Sequence, residues 1–398
     1  MSTLKVDGIR SNSASSDAIT LASDGTCSAN ISSVNGGSIN TNNLVDNGAM
    51  LIKQRSAASV NTTASILIDR FGMNFAGADE GITLSQSDVA SGTTPYSLGL
   101  RKALKVTNGN QTSGAGSSDF VGINHVIESQ NIATSGWNYN STSSYLSVSF
   151  WVKSSVAQKY YMRLFNGDGT VKVWVIDTGV LTANTWTKVT DKIPGHADLQ
   201  FDFDNGAGLN IQIIPYYGTD FTDNSVPVGS WTASIGASQV PDMTTTWWTT
   251  NDSTFEITGF QIEVGPTVSA FALESYADTL RKCQRYFYVL ADQAGDSTQS
   301  PVANLVGYTT SYLYGVVDLP VEMKSAPSII SSSGTNYFVL YGGGGTTGIY
   351  APQCYAARQS TSTVELQVVT ATTNVNADAP YFIRTNNAST YVYFTSEF

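Results

Sequence analysis

Short runs in which apolar and polar residues alternate, separated by Gly, Asn, Asp or Ser, recur throughout residues 47–268. They include SILIDRFGMNF, LRKALKVTN, DFVGINHVIES, YLSVSFWVKSS, KYYMRLFN, TVKVWVID, TWTKVTDKI and LNIQIIPYY. A period of two marks a half-buried strand, because successive side chains point to opposite faces. It places Leu146, Val148, Phe150 and Val152 on one face, and Val171, Val173 and Val175 on one face of a later strand. NGDGT at 166–170 stands between two such runs and reads as a hairpin turn around Asp-Gly. About ten strands joined by polar turns predict a jelly-roll β-sandwich over residues 45–274. Eight further runs, from YFYVLA to YVYFTSEF, predict a smaller C-terminal sandwich or barrel over 289–398, with Phe398 tied down at its end. The fold class is all-β.

One stretch changes period. TFEITGFQIEV, from residue 254, is strand-like and is followed by a Gly265-Pro266 break. Ser275 and Asp278 then give the S-x-x-D start of a capped helix. Tyr276, Leu280, Cys283 and Phe287 recur at helical spacing, while Arg281, Lys282 and Arg285 suit the negative end of the helix dipole. A linking helix over 275–288 is expected, with the Tyr276–Leu280–Cys283–Phe287 face packed between the two β-regions. Residues 1–44 differ again. They contain no Phe, Tyr, Trp or Pro and too few apolar residues to close a core. The runs LKVDGI and AITL nevertheless alternate, which predicts strands completed in an assembly and an attachment role.

Composition narrows the function classes. Charged residues make up 13% of the chain, about half the usual share of roughly 25%, and Gly, Ser, Thr and Asn replace them. The net charge is −11 and no basic stripe is present, which argues against nucleic acid. Cys27, Cys283 and Cys354 are odd in number and widely spaced, so neither a disulfide framework nor a zinc knuckle is expected and the thiols read as free. No secretory h-region opens the chain, and no apolar run approaches the ~18 residues of a membrane span.

Catalytic signatures are missing. Asp202, Asp204 and Glu128 could be paired on paper, but any chain with 31 acids offers pairs, and no G-x-S-x-G or H-E-x-x-H occurs. His125, inside GINHVIE, reads as a structural histidine and His196 as a turn residue. FDFDNGAG at 201–208 puts Asp202 and Asp204 on one strand face before Asn205-Gly206, a weak candidate for structural calcium that is better read as a polar strand end. Neither a catalytic residue nor a metal ligand is assigned.

Aromatic residues carry the functional expectation, because sugars stack their C–H faces on such rings. Trp151, Trp174 and Trp186 are expected in the core. Trp247 and Trp248, adjacent on an expected strand, would point to opposite faces, so one can be core and the other must find a surface, a loop cover or a neighbouring chain. Trp231, in a Gly-Ser-Trp turn, is expected to be exposed, and Tyr216-Tyr217 pose the same question as the tryptophan pair. Tyr350 is the preferred ligand-binding residue because it follows the four glycines at 342–345, and Tyr341 borders the same expected loop. Trp231 and Trp248 are the alternative candidates within the jelly roll.

Five stretches, in order, resemble the motifs of phage tail-fibre and related receptor-binding proteins that carry a carbohydrate-binding-module-like jelly roll. They are NLVDNGAMLIKQR (43–55), LIDRFGM (67–73), ITGFQIEVGPTVSAFALESYADTLRKCQRYF (257–287), LPVEMKSAPSI (319–329) and the final FTSEF. Phe71 stands where that pattern has Trp, and Lys324 where it has Arg. The resemblance implies a virion protein, more a tail fibre than a capsid component, made in the host cytoplasm and assembled as a homotrimer. It implies attachment to other virion proteins through residues 1–44 and non-catalytic adhesion to a host surface glycan or envelope protein. A capsid decoration or connector, and a glycan-degrading tailspike, are the competing readings.

Overall fold

The strand Thr254–Val264, with Ala207–Tyr217 one of the two longest, lies inside a sheet, and both of its faces are covered. In the computed structural model, which describes residues 7–10, 19–21, 27–29, 33–34, 37–38, 43–234, 236–294, 298–342, 346–370 and 374–398, this strand pairs antiparallel with Tyr145–Ser154 and Lys102–Thr107. These belong to a six-stranded sheet ordered Thr187–Pro194, Tyr145–Ser154, Thr254–Val264, Lys102–Thr107, Thr83–Asp88 and Ser59–Val60. Facing it is a seven-stranded sheet ordered Thr232–Ala233, Lys172–Val180, Lys159–Asn166, Ala207–Tyr217, Phe120–Glu128, Phe71–Ala76 and Ser65–Ile68. Alternation does the sorting. Leu146, Val148, Phe150 and Val152 point inward with Phe255, Ile257, Phe260 and Ile262, and they meet Met162, Leu164, Ile211 and Ile213 from the other sheet. The two sheets thus close one sandwich core, as two packed antiparallel sheets must to bury one face each.

The predicted hairpin at 166–170 forms between Lys159–Asn166 and Lys172–Val180. Asn166 fastens it, since its Oδ1 accepts from the backbone N–H of Lys172 at 2.7 Å and its Nδ2 donates to the carbonyls of Asp168 and Thr170. Val173 and Val175 share a face as expected, but it is the outer face of the sheet. There they join Tyr161, Ile214 and Tyr217 beneath Val226 and Val240, which lie in the long connection between Ala207–Tyr217 and Thr254–Val264.

Three tryptophan expectations change. Trp247 and Trp248 lie in a single helical turn, Thr246–Thr249, and both are fully buried. Neighbours on a helix stand about 100° apart instead of 180°, so adjacent rings can both face the core. Trp248 packs 5.0 Å from Tyr216 and its indole N–H donates to the Gly114 carbonyl at 3.0 Å. Trp174 is in the core, whereas Trp151 and Trp186 are half-buried outside it. Trp151 alternates with the inward Phe150 and Val152, so the period that buries them turns it outward.

His125 is buried, with its ring 4.8 Å from Phe71 and Nδ1 3.1 Å from the Arg70 carbonyl, while Nε2 has no hydrogen-bond partner. Burial first, and then the Arg70 charge, holds its pKa well below the ordinary value. The unfolded imidazole takes up a proton below about pH 6.5 that the folded one refuses. Stability is therefore lost as pH falls through that value. Urea midpoints at pH 7 and pH 5 should drop more for the native chain than for His125→Gln. An equal drop would show that His125 titrates normally in the fold.

The C-terminal part has its own core. A three-stranded sheet, Phe287–Asp292, Tyr391–Thr395 and Ser328–Ser331, packs against one face of a second seven-stranded sheet. That sheet is ordered Thr346–Ala351, Phe338–Gly342, Pro380–Thr385, Pro301–Gly307, Tyr312–Asp318, Thr363–Val369 and Cys354–Gln359. Leu305, Leu313, Leu340, Leu366, Ile383 and Phe394 fill the space between them. Cys283 and Cys354 are buried free thiols.

At the other end of the chain, Gly8–Ile9, Ile19–Leu21 and Cys27–Ala29 form a small antiparallel sheet, and Ser33–Val34 pairs with Gly37–Ser38. The expected runs LKVDGI and AITL each contain one of these strands. Apart from Asp7 and Arg10, which flank the first strand, the rest of residues 1–42 lies outside the described residues.

Candidate functional site

The helix Tyr276–Gln284 starts as its sequence predicts, with Ser275 Oγ accepting from the Asp278 backbone N–H at 3.2 Å. Its buried face differs from the expected one. Tyr276 is 58% exposed and Leu280 half-buried, while Thr279 and Cys283 point inward. The helix stops at Gln284, so Phe287 belongs to the next strand; Cys283 points inward as expected, while Thr279 takes the inward place expected of Leu280. Below this helix the stretches that carry the family resemblance come together.

From residues 43–55, Asn43 Nδ2 donates to the Phe260 carbonyl and its Oδ1 accepts from Ile262, both in the long central strand. Asn47 is buried with all four hydrogen bonds of its amide made. Its Oδ1 accepts from the N–H groups of Leu51 and Ile52, and its Nδ2 donates to the carbonyls of Ile52 and Asp69, each at 2.9 Å. Gly48 follows because the chain passes against the central strand there; a methyl at its Cβ position would lie 2.0 Å from the Phe260 carbonyl oxygen. Gln54 Nε2 bridges Asp69 and the Phe287 carbonyl. Arg55 stacks 3.6 Å over the Phe287 ring and pairs with Glu397 at 2.5 Å.

Arg70 lies 3.3 Å over the Tyr286 ring. Arg285 grips the fully buried Glu128 with two hydrogen bonds, 2.7 and 2.8 Å, and the Tyr286 hydroxyl donates to the same carboxylate at 2.5 Å. Lys324 donates its backbone N–H to the Arg285 carbonyl, and Ser396 donates its own to that of Tyr286. These residues form the joint between the two β-units. Burial raises the carboxyls of Asp46, Asp69 and Glu397 despite neighbouring arginines. Glu128 goes the other way: burial pushes it up, but the hydrogen bonds from Arg285, Tyr286 and Gln130 and the Arg285 charge together hold it below the ordinary range. Glu128 thus spends its carboxylate inside the joint. Asp202 and Asp204 sit in an exposed bend in place of the expected strand. There Asp204 Oδ1 accepts from Gly206 N–H at 2.8 Å in a local turn, and Asp202 accepts from Gln200.

A different surface is open. The seven-stranded C-terminal sheet buries one face in its core and leaves the other to solvent. Across that outer face the register aligns Pro380, Val306, Tyr314, Gln367 and Tyr355, one residue from each of five neighbouring strands. Val306, Tyr308, Val316, Tyr355 and Phe382 are all exposed. Two adjoining clefts, about 730 and 650 Å³, share Val306 and Tyr314. Polar groups are interleaved with the rings: Gln367 Nε2 donates to the Tyr314 hydroxyl, and Arg358 pairs with Glu365 at 3.2 Å. Tyr341 stacks on Phe382 at 5.5 Å, with the Arg384 guanidinium 5.2 Å from the Tyr341 ring.

Of the sequence-predicted residues, Tyr341 therefore lies on this face. Tyr350 is 44% exposed and sits on the strand Thr346–Ala351 opposite Val339 instead of in a loop, because that strand already begins at Thr346. Residues 343–345 of that glycine stretch lie outside the described residues. Trp231 is half-buried, its ring 5.6 Å from Trp174 and its N–H donating to the Pro194 carbonyl at 2.7 Å. Trp248 is fully buried and offers no ring to a ligand. Phe382, Tyr308 and Tyr355 were not singled out from sequence. Apolar residues on both faces of these strands hide which face is open; the turnward Tyr308 and the exposed Val306 and Val316 carry the only hint.

No family model matches the chain, and no curated protein matches it. Similar solved structures include the enzymatically active domain of tailspike protein 4 from bacteriophage CBA120, 8% identical over 56% of this chain and 21% of that one, with a TM-score of 0.31. They also include the family 11 carbohydrate-binding module from Clostridium thermocellum, 13% identical over 53% of this chain and 96% of that one, TM-score 0.24. A third is the N-terminal cellulose-binding domain of Cellulomonas fimi β-1,4-glucanase C, 11% identical over 52% of this chain and 99% of that one, TM-score 0.24. Each likeness is loose, and the all-β assignment rests on the sheets themselves.

Proposed function

We propose that this chain is a receptor-binding virion protein of the tail-fibre type, and that it adheres to a surface glycan without catalysis through the outer face of its C-terminal seven-stranded sheet. The observation that carries this reading is the row of solvent-facing rings and amides on a sheet face that nothing among the described residues covers. Pyranose rings offer C–H faces to Tyr314, Tyr355 and Phe382, and their hydroxyls bond Asn304, Gln367 and the Arg358–Glu365 pair. Such open contacts are individually weak, so the reading includes display of several copies, as a homotrimer held by residues 1–44 to the rest of the virion. The five motif stretches support the tail-fibre assignment.

Tyr314→Ala and Phe382→Ala should each weaken binding of the purified chain to susceptible cells by roughly 3- to 10-fold, the worth of one stacked ring. Their melting temperatures should stay near the native value, because both side chains are outside the core. Unchanged binding in the double variant would move recognition off this face. Binding to a virion protein instead of cells would favour the decoration or connector reading. Loss of surface polysaccharide on incubation would favour a tailspike.

A further inference from the structure

Asparagine followed by glycine occurs five times in the chain, at residues 35, 47, 108, 166 and 205. Asn35 lies outside the described residues. At three of the other four, the fold accounts for both members of the pair. Asn47, Asn108 and Asn166 are buried, and each amide is held at both ends. Asn108 Nδ2 donates to the carbonyls of Trp247, Trp248 and Thr250, and its Oδ1 accepts from Gln111 Nε2 at 3.0 Å. The glycines run against backbone: a Cβ at Gly48, Gly109 or Gly167 would lie 2.0, 2.6 or 1.8 Å from the carbonyl oxygen of Phe260, Glu80 or Ala207. Asn205-Gly206 has neither reason. Asn205 is exposed, and its amide makes one hydrogen bond, from Nδ2 to the Lys324 carbonyl of the C-terminal unit. Gly206 is not among the glycines at positive φ, and the three atoms nearest to its missing Cβ all belong to the Asp204 side chain, Oδ1 at 2.9 Å. That side chain is free to swing aside, so packing does not demand glycine here.

The pair does have a reactive arrangement. A glycine nitrogen reaches the side-chain carbon of a preceding asparagine readily, because no Cβ hinders the approach. The Gly206 N–H donates to Asp204 Oδ1 at 2.8 Å, the reach from which a general base takes a proton. We propose that Asn205 is a modification site, deamidated in the folded chain with Gly206 as nucleophile and Asp204 as base. The Gly206 nitrogen bonds to Asn205 Cγ and gives its proton to Asp204. The Cγ–Nδ2 bond breaks, the proton passes from Asp204 to the leaving nitrogen, and ammonia departs. Water then opens the cyclic imide at either carbonyl and leaves aspartate or isoaspartate. The exposed turn admits that water, and no oxidant or cofactor takes part. The product carries a carboxylate where the amide donor stood. It faces the Lys324 carbonyl, another acceptor, and adds one negative charge to a chain already at −11. The isoaspartate form also lengthens the backbone of a turn whose Asp204 and Gly206 carbonyls accept from Gln130 and Ser129, directly after Glu128. Ammonia is lost to solvent, so the change runs one way and records the age of the chain at its joint. It is independent of what the C-terminal sheet face binds.

The test is peptide mass spectrometry on the full chain kept in warm, mildly alkaline buffer, reading the amide-to-acid mass change and the isoaspartate content. Asn205 should convert ahead of Asn47, Asn108 and Asn166, and both isomers should form. In urea the four should convert at similar rates, because the fold no longer protects three of them. Asp204→Asn keeps an acceptor for the Gly206 N–H but removes the base; it should slow conversion by about 10-fold, short of the 10²-fold or more of an evolved general base. Gly206→Ala should slow it at least several-fold and keep a native melting curve. Asn205→Asp installs the carboxylate directly. The Lys324 amide, which donates to the Arg285 carbonyl, should then exchange with deuterium several-fold faster than in the native chain; a native exchange rate would overturn the effect on the joint. The modification itself is overturned if Asn205 stays an amide, if one of the other three converts first in the folded chain, or if Asp204→Asn reacts at the native rate.

Discussion

Glu128→Ala is expected to destabilise the chain by about 3–5 kcal/mol, the cost of breaking a buried ion pair from one side. The carboxylate is fully buried and serves Arg285, Tyr286 and Gln130 at once. Removing it strands the buried Tyr286 hydroxyl and leaves the half-buried Arg285 guanidinium without its carboxylate. Glu128→Gln keeps the shape and one acceptor and should cost less. The loss should appear as a lower urea midpoint with an unchanged slope. The pH sense follows from the depressed carboxyl: its stabilisation is complete above the ordinary glutamate value and is lost as pH falls through the folded value. Asp46, Asp69 and Glu397, raised by burial, contribute with the opposite sign, so the Glu128 effect is read as the difference between native and Glu128→Gln chains at pH 7 and pH 3. That difference should shrink in acid. A cost below about 1 kcal/mol at pH 7 would mean that the two units are held together by other contacts.

Asn47→Ala should be nearly as damaging, at least about 3 kcal/mol. It deletes four hydrogen bonds in a site 2% exposed and takes this partner from two N–H groups and the Asp69 carbonyl, while the Ile52 carbonyl keeps the Asp69 N–H. It also places a residue with no polar side chain at φ 57°, a conformation Asn tolerates better than Ala. Asn47→Asp separates the causes. It can accept from Leu51 and Ile52 but cannot donate to the carbonyls of Ile52 and Asp69, so it should also destabilise, most strongly where the new acid is ionised. Thermal unfolding of the three chains side by side decides the matter; a native-like Asn47→Ala would mean that the loop re-forms its hydrogen bonds with solvent.

Much of the fold could be read from the sequence because it depends on local rules. Period-two alternation found the strands, Asn166 and the Asp-Gly pair marked the hairpin, and Ser275 with Asp278 marked the helix start. The errors came where a long-range contact decided the outcome. Trp247 and Trp248 looked like strand residues because a one-turn helix is too short to show a period. Trp151 looked like core because apolar alternation does not say which face is the inner one. Tyr350 was assigned to a loop from its glycine neighbours, but pairing with Phe338–Gly342 drew it into a sheet. The open C-terminal face was hardest of all: its strands carry rings on both sides, and only the absence of a covering layer distinguishes one side from the other.

The motifs, scattered over some 350 positions of sequence, converge on the joint, while the open sheet face lies on the far side of the C-terminal core from it. About 10 Å of packed side chains, the thickness of one sandwich layer, separates the two. The open face and the joint are therefore written in different residues. A C-terminal unit from another chain could be spliced on after the joint helix and would seat on the same jelly roll, provided it supplied the partners of Gln54, Arg55 and Arg285. Its outward residues could be anything. Recombination within the short stretch around Arg285 would replace the outward face and leave intact the joint that carries it.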